Sequence, residues 1–274
     1  MADVRPPAVA GSWYPGTRAR LVEAIDAHLA AAAAPPRTCP RAIVAPHAGL
    51  MYSGPVAAFA YRTVKACAYT AVVLIGPSHF VAFDGVSIWP RGAWETPSGP
   101  IRVAEALAAA LAAASDEIVE YPAAHGREHS LEMQLPFLAR LLPGVPIVPL
   151  VMGSQNRPTA LALGDAFAHV LAGRSDERVL LVASSDLSHY EDAAVAARLD
   201  AVVVRHVAAL DADGLMAALE REPRHACGGG PIVSVLRATV KLGCTEARVL
   251  RYADSGDVSG DKSSVVGYMA AAIW

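Results

Sequence analysis

The chain predicts a single α/β domain spanning residues 1–274, with a central mostly parallel or mixed sheet flanked by helices. Two observations carry this. Short apolar runs alternate along the sequence with segments of helical length. The runs are continuously apolar rather than alternating, as expected of strands covered on both faces. In chain order, a helix is expected over 17–34, with Thr17 as its N-cap. The run "AIVA" (42–45) reads as a strand, followed by a helix over 54–67 with Pro55 in its first turn. Strands follow at "AVVLIG" (71–76) and "VSIW" (86–89), then helices over 101–114 and 130–142, with Ser130 as a cap. "PIVPLVM" (146–152) and "RVLLVAS" (178–184) are strands around a helix over 158–172. Helices over 192–210 and 231–242 lead to two final strands, "RVLRYAD" (248–254) and "SVVGYMAAAI" (264–273). No internal repeat or linker divides the chain.

Composition narrows the function. Hydrophobic residues make up 54% and charged residues 18% of the 274 residues, which favours a well-buried core over disorder. The net charge is −3 with no basic block, so nucleic acid and anionic membranes are not expected partners. No apolar run is long enough to span a bilayer, and the first residues lack an apolar signal region. A cytoplasmic location is therefore expected. The four cysteines, Cys39, Cys67, Cys227 and Cys244, form no CxxC pair, and reduced thiols are the default for such a chain.

The informative residues follow the strands. "AIVA" runs into "PHAGLMYSG" with His47, and "AVVLIG" runs into "PSHF" with His79. "RVLLVAS" runs into "SDLSHY" with Asp186 and His189. In open α/β sheets, sites form at the carboxyl ends of strands, where such loops converge. A single loop histidine is usually a surface residue, but three at three strand ends suggest a common site. Asp186 could simply cap the next segment. Three residues before His189, it also suits a carboxylate that orients an imidazole. His28, His169 and His206 fall inside helical patterns and read as structural or exposed, whereas His125 and His225 stay open as metal contacts. In "REHSLEMQLPFL" (127–138), Glu128 and His129 read either as an acidic helix start or as groups that hold ligand imidazoles by hydrogen bonds.

"HACGGGPI" (225–232) places Cys227 before three glycines, a proline and a helical run. A thiol just before a helix N-terminus is expected to have a lowered pKa and to be the most reactive of the four. The thiolate is the form that ligates a metal or attacks an electrophile. Three glycines let the loop turn tightly and let its backbone approach a bound group. The plainer reading is a small buried cysteine in a glycine-rich turn. Cys67 and Cys244 fit that reading better.

Six motifs in order, "AVAGSWYPG", "IVAPHAGLMYSGPVAAFAY", "IGPSHF", "EHSLEMQLPFL", "SSDLSHY" and "ACGGGP", resemble the Memo family. Its bacterial and archaeal members are labelled AmmeMemoRadiSam system protein B. The resemblance runs from about residue 4 to the C-terminus. It implies a fold similar to class III extradiol (LigB-type) dioxygenases, which use non-haem iron. It also implies that His47, His79 and Cys227 are the metal-site residues. Asp186 and His189 would line the same pocket, His189 where the dioxygenases keep an acid/base histidine. Those enzymes complete a two-His-one-carboxylate triad. Here the third position is Cys227, so ring cleavage does not transfer with the fold.

Two readings follow. In the first, the protein is a metal-dependent redox enzyme with iron, or else copper or zinc, on His47, His79 and Cys227. His189 moves protons, Asp186 orients it, and a small-molecule substrate occupies the pocket. In the second, the pocket is a non-catalytic binding module for a peptide or protein. Eukaryotic Memo proteins are associated with phosphotyrosine-peptide binding, and the name of the prokaryotic system implies a radical-SAM companion protein.

Overall fold

The computed structural model describes residues 3–35, 37–174 and 176–274. It opens with strand β1 (Val4–Arg5) and helix α1 (Arg18–Ala31). β2 (Ala42–Ala45), α2 (Leu50–Arg62) and β3 (Ala71–Pro77) follow. Short strands β4 (Val86–Ile88), β5 (Ala93–Trp94) and β6 (Ile101–Arg102) lead to α3 (Glu105–Ala113) and β7 (Ile118–Glu120). Then come α4 (Leu135–Leu141), β8 (Ile147–Met152), α5 (Arg157–Ala172), β9 (Val179–Ser184) and β10 (His189–Glu191). Helices α6 (Ala193–Ala208), α7 (Ala212–Arg221) and α8 (Gly229–Lys241) precede β11 (Ala247–Asp254), the one-turn α9 (Gly256–Ser259) and β12 (Val265–Ile273).

Nine strands form one mixed sheet in the order β10-β12-β2-β9-β3-β8-β4-β7, with β11 also pairing with β12. The four central strands β2, β9, β3 and β8 are mutually parallel. Their partners on either side, β12 and β4, run antiparallel to them. Ile43 lies opposite Val182, Val182 opposite Leu74, and Leu74 opposite Pro149. Every residue of these four strands is buried, so the sheet is covered on both faces, as their unbroken apolar sequences require. Because the four are parallel, the loops after β2, β3, β8 and β9 emerge on one edge. That edge carries His47, His79, Gln155 and Asp186. A second, three-stranded sheet, β1-β5-β6, ties the N-terminus to the body.

Several element boundaries differ from the sequence expectation, each for a local reason. α2 starts at Leu50, so Pro55 lies inside the helix rather than in its first turn, where it has no N–H to give the carbonyl four residues back. Residues 101–102 pair with β5 instead of opening a helix. Ser130 is not a cap: its hydroxyl donates to the Pro77 carbonyl at 3.0 Å, and α4 begins five residues later, after the 3-10 turn Glu132–Gln134. α7 escapes the sequence reading because the break before it contains neither glycine nor proline. Leu210 takes the left-handed conformation (φ 55°) and Asp211 caps α7 by accepting from Gly214 N–H.

The thiol expectation is overturned for one pair. Cys39 and Cys67 form a disulfide with a Cα–Cα distance of 5.4 Å, while Cys227 and Cys244 are free. Cys39 precedes β2 and Cys67 follows α2, so the bond closes the β2–α2 unit that carries His47. Among the described residues, no helix is long and apolar enough to cross a membrane.

The bridge closes a loop across a sequence separation of 28. Reducing it, or replacing both cysteines by serine, is expected to cost about 3–4 kcal/mol on the loop-entropy scale. Denaturant unfolding with and without reductant measures this; coincident midpoints would show that the bond is not formed in solution.

Candidate metal centre

His47, His79 and Cys227 each offer a ligand atom, and the three atoms lie within 4.8 Å of one another. They come from the loops after β2 and β3 and the loop before α8. His47 Nε2 is 3.3 Å from Cys227 Sγ. The two imidazole rings meet edge-on, with centroids 5.2 Å apart.

The hydrogen bonds behind the rings settle which nitrogen each ring presents. Tyr61 Oη donates to Gln134 Oε1 at 2.8 Å, so Gln134 Nε2 points the other way and donates to Pro46 O (3.1 Å) and Ser184 Oγ (2.7 Å). The Ser184 hydroxyl donates to Ser130 O at 2.6 Å. With its proton committed, Ser184 Oγ can only accept from His47 Nδ1, 2.9 Å away. His47 Nε2 is therefore a bare lone pair. On the other side, Glu128 Oε1 accepts from His79 Nδ1 at 2.9 Å, and Oε2 accepts from His79 N–H at 2.6 Å. A carboxylate only accepts, so His79 Nδ1 carries a proton and Nε2 is the ring nitrogen left for a metal. This is the arrangement by which ligand imidazoles are usually oriented.

Burial, and then the nearness of the His79 ring, hold His47 well below the ordinary histidine range, so it is neutral at pH 7. Burial would push Glu128 up, but the bonds from His79 and the Ser130 N–H outweigh it and bring the carboxyl down to about 2. His129 is brought to about 3 by burial, then by His47 and His79. Its ring stacks on His79 at a centroid distance of 4.5 Å and lies 4.3 Å from Trp13. Together with His79 and Glu128 it makes a second close group of potential ligands.

Cys227 departs from the expected chemistry. The residue is half-buried, yet desolvation, and next the charge of Asp186, push its thiol well above the ordinary range. The opposing donor is Asp186 N–H, 3.3 Å from Sγ; the Ser185 hydroxyl, 4.0 Å from Sγ, gives its proton to Asp186 O. Helix α8 does start two residues later, but its N-terminus does not dominate. A low thiol pKa is thus not a property of the metal-free chain. The glycines also serve differently. A Cβ on Gly228 would lie 2.6 Å from Ser184 O, one on Gly229 2.6 Å from Leu219, and one on Gly230 2.6 Å from Met152 Sδ. All three positions are crowded by the protein itself: the end of β9, α7 and the end of β8. None has a positive φ.

Asp186 and His189 are near the centre but not bonded as expected. Asp186 Oδ1 accepts from His47 N–H at 2.7 Å and Ala48 N–H at 3.3 Å, so the carboxylate fixes the His47 loop. Burial raises its pKa against those bonds. His189 Nδ1 donates instead to Leu187 O at 2.8 Å, so Nε2 is the ring nitrogen not tied to that carbonyl. The segment is extended rather than helical, and Tyr190 (φ 62°) occupies a bulge in the β10–β12 pairing. His189 lies outside the group of three ligand atoms. His125 is buried against Ser87 Oγ (2.9 Å), and His225 bonds Leu199 O (2.9 Å). Neither belongs to the ligand groups. The sequence reading missed the supporting roles of Ser184, Gln134, Tyr61, Arg5 and Trp13.

A family model described as Memo-like protein matches residues 5–272. A MEMO1 family protein of Caldivirga maquilingensis is 36% identical over 279 residues, covering 98% of this chain and 99% of the relative. One from Thermotoga petrophila is 38% identical over 281 residues, with 98% and 99% covered. In fold, the chain is similar to a crystal structure of an uncharacterized protein from Escherichia coli K12. The TM-score is 0.53 at 17% identity, over 83% of this chain and 98% of that one.

The thiol state sets a pH dependence. At pH 6–8 the metal-free Cys227 is protonated and His47 already neutral, so a metal must displace the thiol proton. Affinity from Cys227 is expected to rise about tenfold per pH unit over that range. The same slope should vanish in Cys227→Ala. Competition titrations at several pH values measure it; equal slopes in both proteins would remove Cys227 from the ligands.

Proposed function

The chain belongs to the Memo family, and on that premise we propose that it is a metal-dependent redox enzyme. Its centre is held by His47, His79 and Cys227, and iron is the preferred metal ahead of copper; zinc would fit the same ligands but carries no redox chemistry. The observation that carries this reading is the polarity of the hydrogen bonds. Both imidazoles are held with Nδ1 protonated, which leaves the Nε2 lone pair of each neutral ring for a metal beside one thiol. A purely structural histidine cluster has no need of two such lone pairs. Three protein donors leave positions open, as catalytic centres require. A bound redox metal would supply one-electron chemistry and Lewis acidity at that point.

The chain's own groups supply the rest. Asp186 holds the His47 loop by two backbone N–H groups. Glu128 fixes His79 and lends the ring basicity. His189, its Nδ1 proton tied to Leu187 O, would accept or return a proton at Nε2. A thiolate would stand where the dioxygenases have a carboxylate ligand, so the proposal is oxidation at a redox metal, with no substrate carried over from ring-cleaving enzymes.

A second reading, a peptide- or protein-binding module, is favoured by the surface near the centre. Tyr190 is 77% exposed, Met51 62% and Phe80 48%, and Trp13 is also exposed. These side chains flank residues of the centre and would suit an apolar or aromatic ligand group. A radical-SAM companion protein and a cytoplasmic location remain part of the proposal.

Metal analysis separates the readings. Protein isolated without chelators is expected to hold about one redox metal per chain. His47→Ala and His79→Ala should lose it and stay folded, because the ligand loops ride on an already complete sheet. His189→Ala and His189→Gln should keep the metal but lose the pH dependence of dioxygen consumption with reductant. Metal-free, folded wild-type protein that takes up no added iron or copper would favour the binding module. Loss of metal in His189→Ala would place that residue among the ligands.

A further inference from the structure

We infer that the N-terminal segment 4–14, rooted on the Arg5–Glu132 ion pair, is a clasp that sets the spacing of the His47 and His79 loops. Arg5 is then a positioning residue for His79. The inference rests on reading His47, His79 and Cys227 as a metal centre.

The clasp is reciprocal. Arg5, 1% exposed, sends its guanidinium inward from β1. Nη1 meets Glu132 Oε2 at 2.5 Å, Nε donates to His125 O at 2.9 Å, and Nη2 donates to Glu128 O at 2.6 Å. The guanidinium carbon lies 4.3 Å from the Trp94 ring centroid. Glu132, wholly buried, reaches back to the N-terminal segment. It accepts from Ala8 N–H (2.7 Å), Val9 N–H (3.0 Å) and Tyr14 Oη (2.7 Å). A side chain of the segment thus fixes the 125–132 loop, and a side chain of that loop fixes the segment.

Each end of the clasp reaches a ligand. Glu128, whose carbonyl Arg5 holds, binds His79 through its carboxylate. At the other end Trp13 O accepts from Leu50 N–H at 2.8 Å, three residues after His47, and the Trp13 ring covers His129. Two fully buried charges are a costly way to join two segments that apolar packing could join. What the pair adds is geometry. The planar guanidinium fork fixes three acceptors at set angles, which a lysine ammonium cannot do.

The test uses full-length Arg5→Lys, with Co(II) as the probe. Two readouts are taken: the Co(II) dissociation constant with its thiolate charge-transfer band, and the His79 tautomer of metal-free protein from ring 15N shifts. Arg5→Lys is expected to weaken Co(II) binding about ten- to hundred-fold and shift the band. It should also turn a fixed Nδ1–H tautomer of His79 into an averaged one. Arg237→Lys, which disturbs a bidentate pair with Asp165 between α8 and α5, is the control and should change neither readout. A folded Arg5→Lys with wild-type affinity and a fixed tautomer overturns the clasp, as does an equal loss in the control. Should Arg5→Lys fail to fold, Tyr14→Phe removes one donor from Glu132 without unpairing Arg5. It should weaken Co(II) binding in the same direction, and no change overturns the inference. If wild-type protein binds no Co(II), the metal-centre reading fails by itself, while the metal-free tautomer still decides the clasp.

Discussion

Everything at the candidate centre depends on the direction of the hydrogen bonds to two Nδ1 atoms. The Tyr61 hydroxyl orients the Gln134 amide, the amide and the Ser130 carbonyl commit the Ser184 hydroxyl, and Ser184 accepts from His47. Glu128 does the same for His79 in one step. Reversing any link would put a proton on Nε2, where a metal needs a lone pair. The links from Tyr61 to His47 are buried, where an unmatched donor or acceptor costs about 1–3 kcal/mol, so that polarity is strongly held. The parallel strands supply the other half of the constraint, because they deliver both histidines to one edge of the sheet.

The buried surroundings also explain the state of the thiol. Cys227 sits beside the Asp186 carboxylate and among packed glycines, which raises rather than lowers its pKa. A thiol kept protonated is protected from adventitious alkylation and oxidation, since the thiolate is the reactive form. Metal would bring it to the thiolate on binding. The reactivity of the cysteine is thereby coupled to the presence of the metal.

Much of this was legible in the sequence. The strands of the parallel centre were readable because burial on both faces makes them continuously apolar, and 42–45 matches β2 residue for residue. His47, His79 and Cys227 were readable because strand ends and a glycine-rich turn mark where loops converge. The two-residue strands β1, β5 and β6 carry too little pattern to be seen, and α7 follows a left-handed leucine that no turn residue announces. The Cys39–Cys67 bond was hidden because its cysteines lie 28 residues apart without a spacing motif. Asp186 does bond the His47 loop, but not the partner that the sequence suggested. Sequence proximity suggested His189, whereas the loop turns the carboxylate to the backbone of His47, 139 residues away. Arg5 and Glu132 were invisible as a pair for the same reason: they are 127 residues apart and meet only in the folded core.

X-ray absorption at the metal edge of Zn(II)-loaded protein tests the central claim most directly. One sulfur scatterer at about 2.3 Å is expected, together with imidazole nitrogens at about 2.0–2.1 Å. A first shell of nitrogen and oxygen alone, with no sulfur, would contradict it.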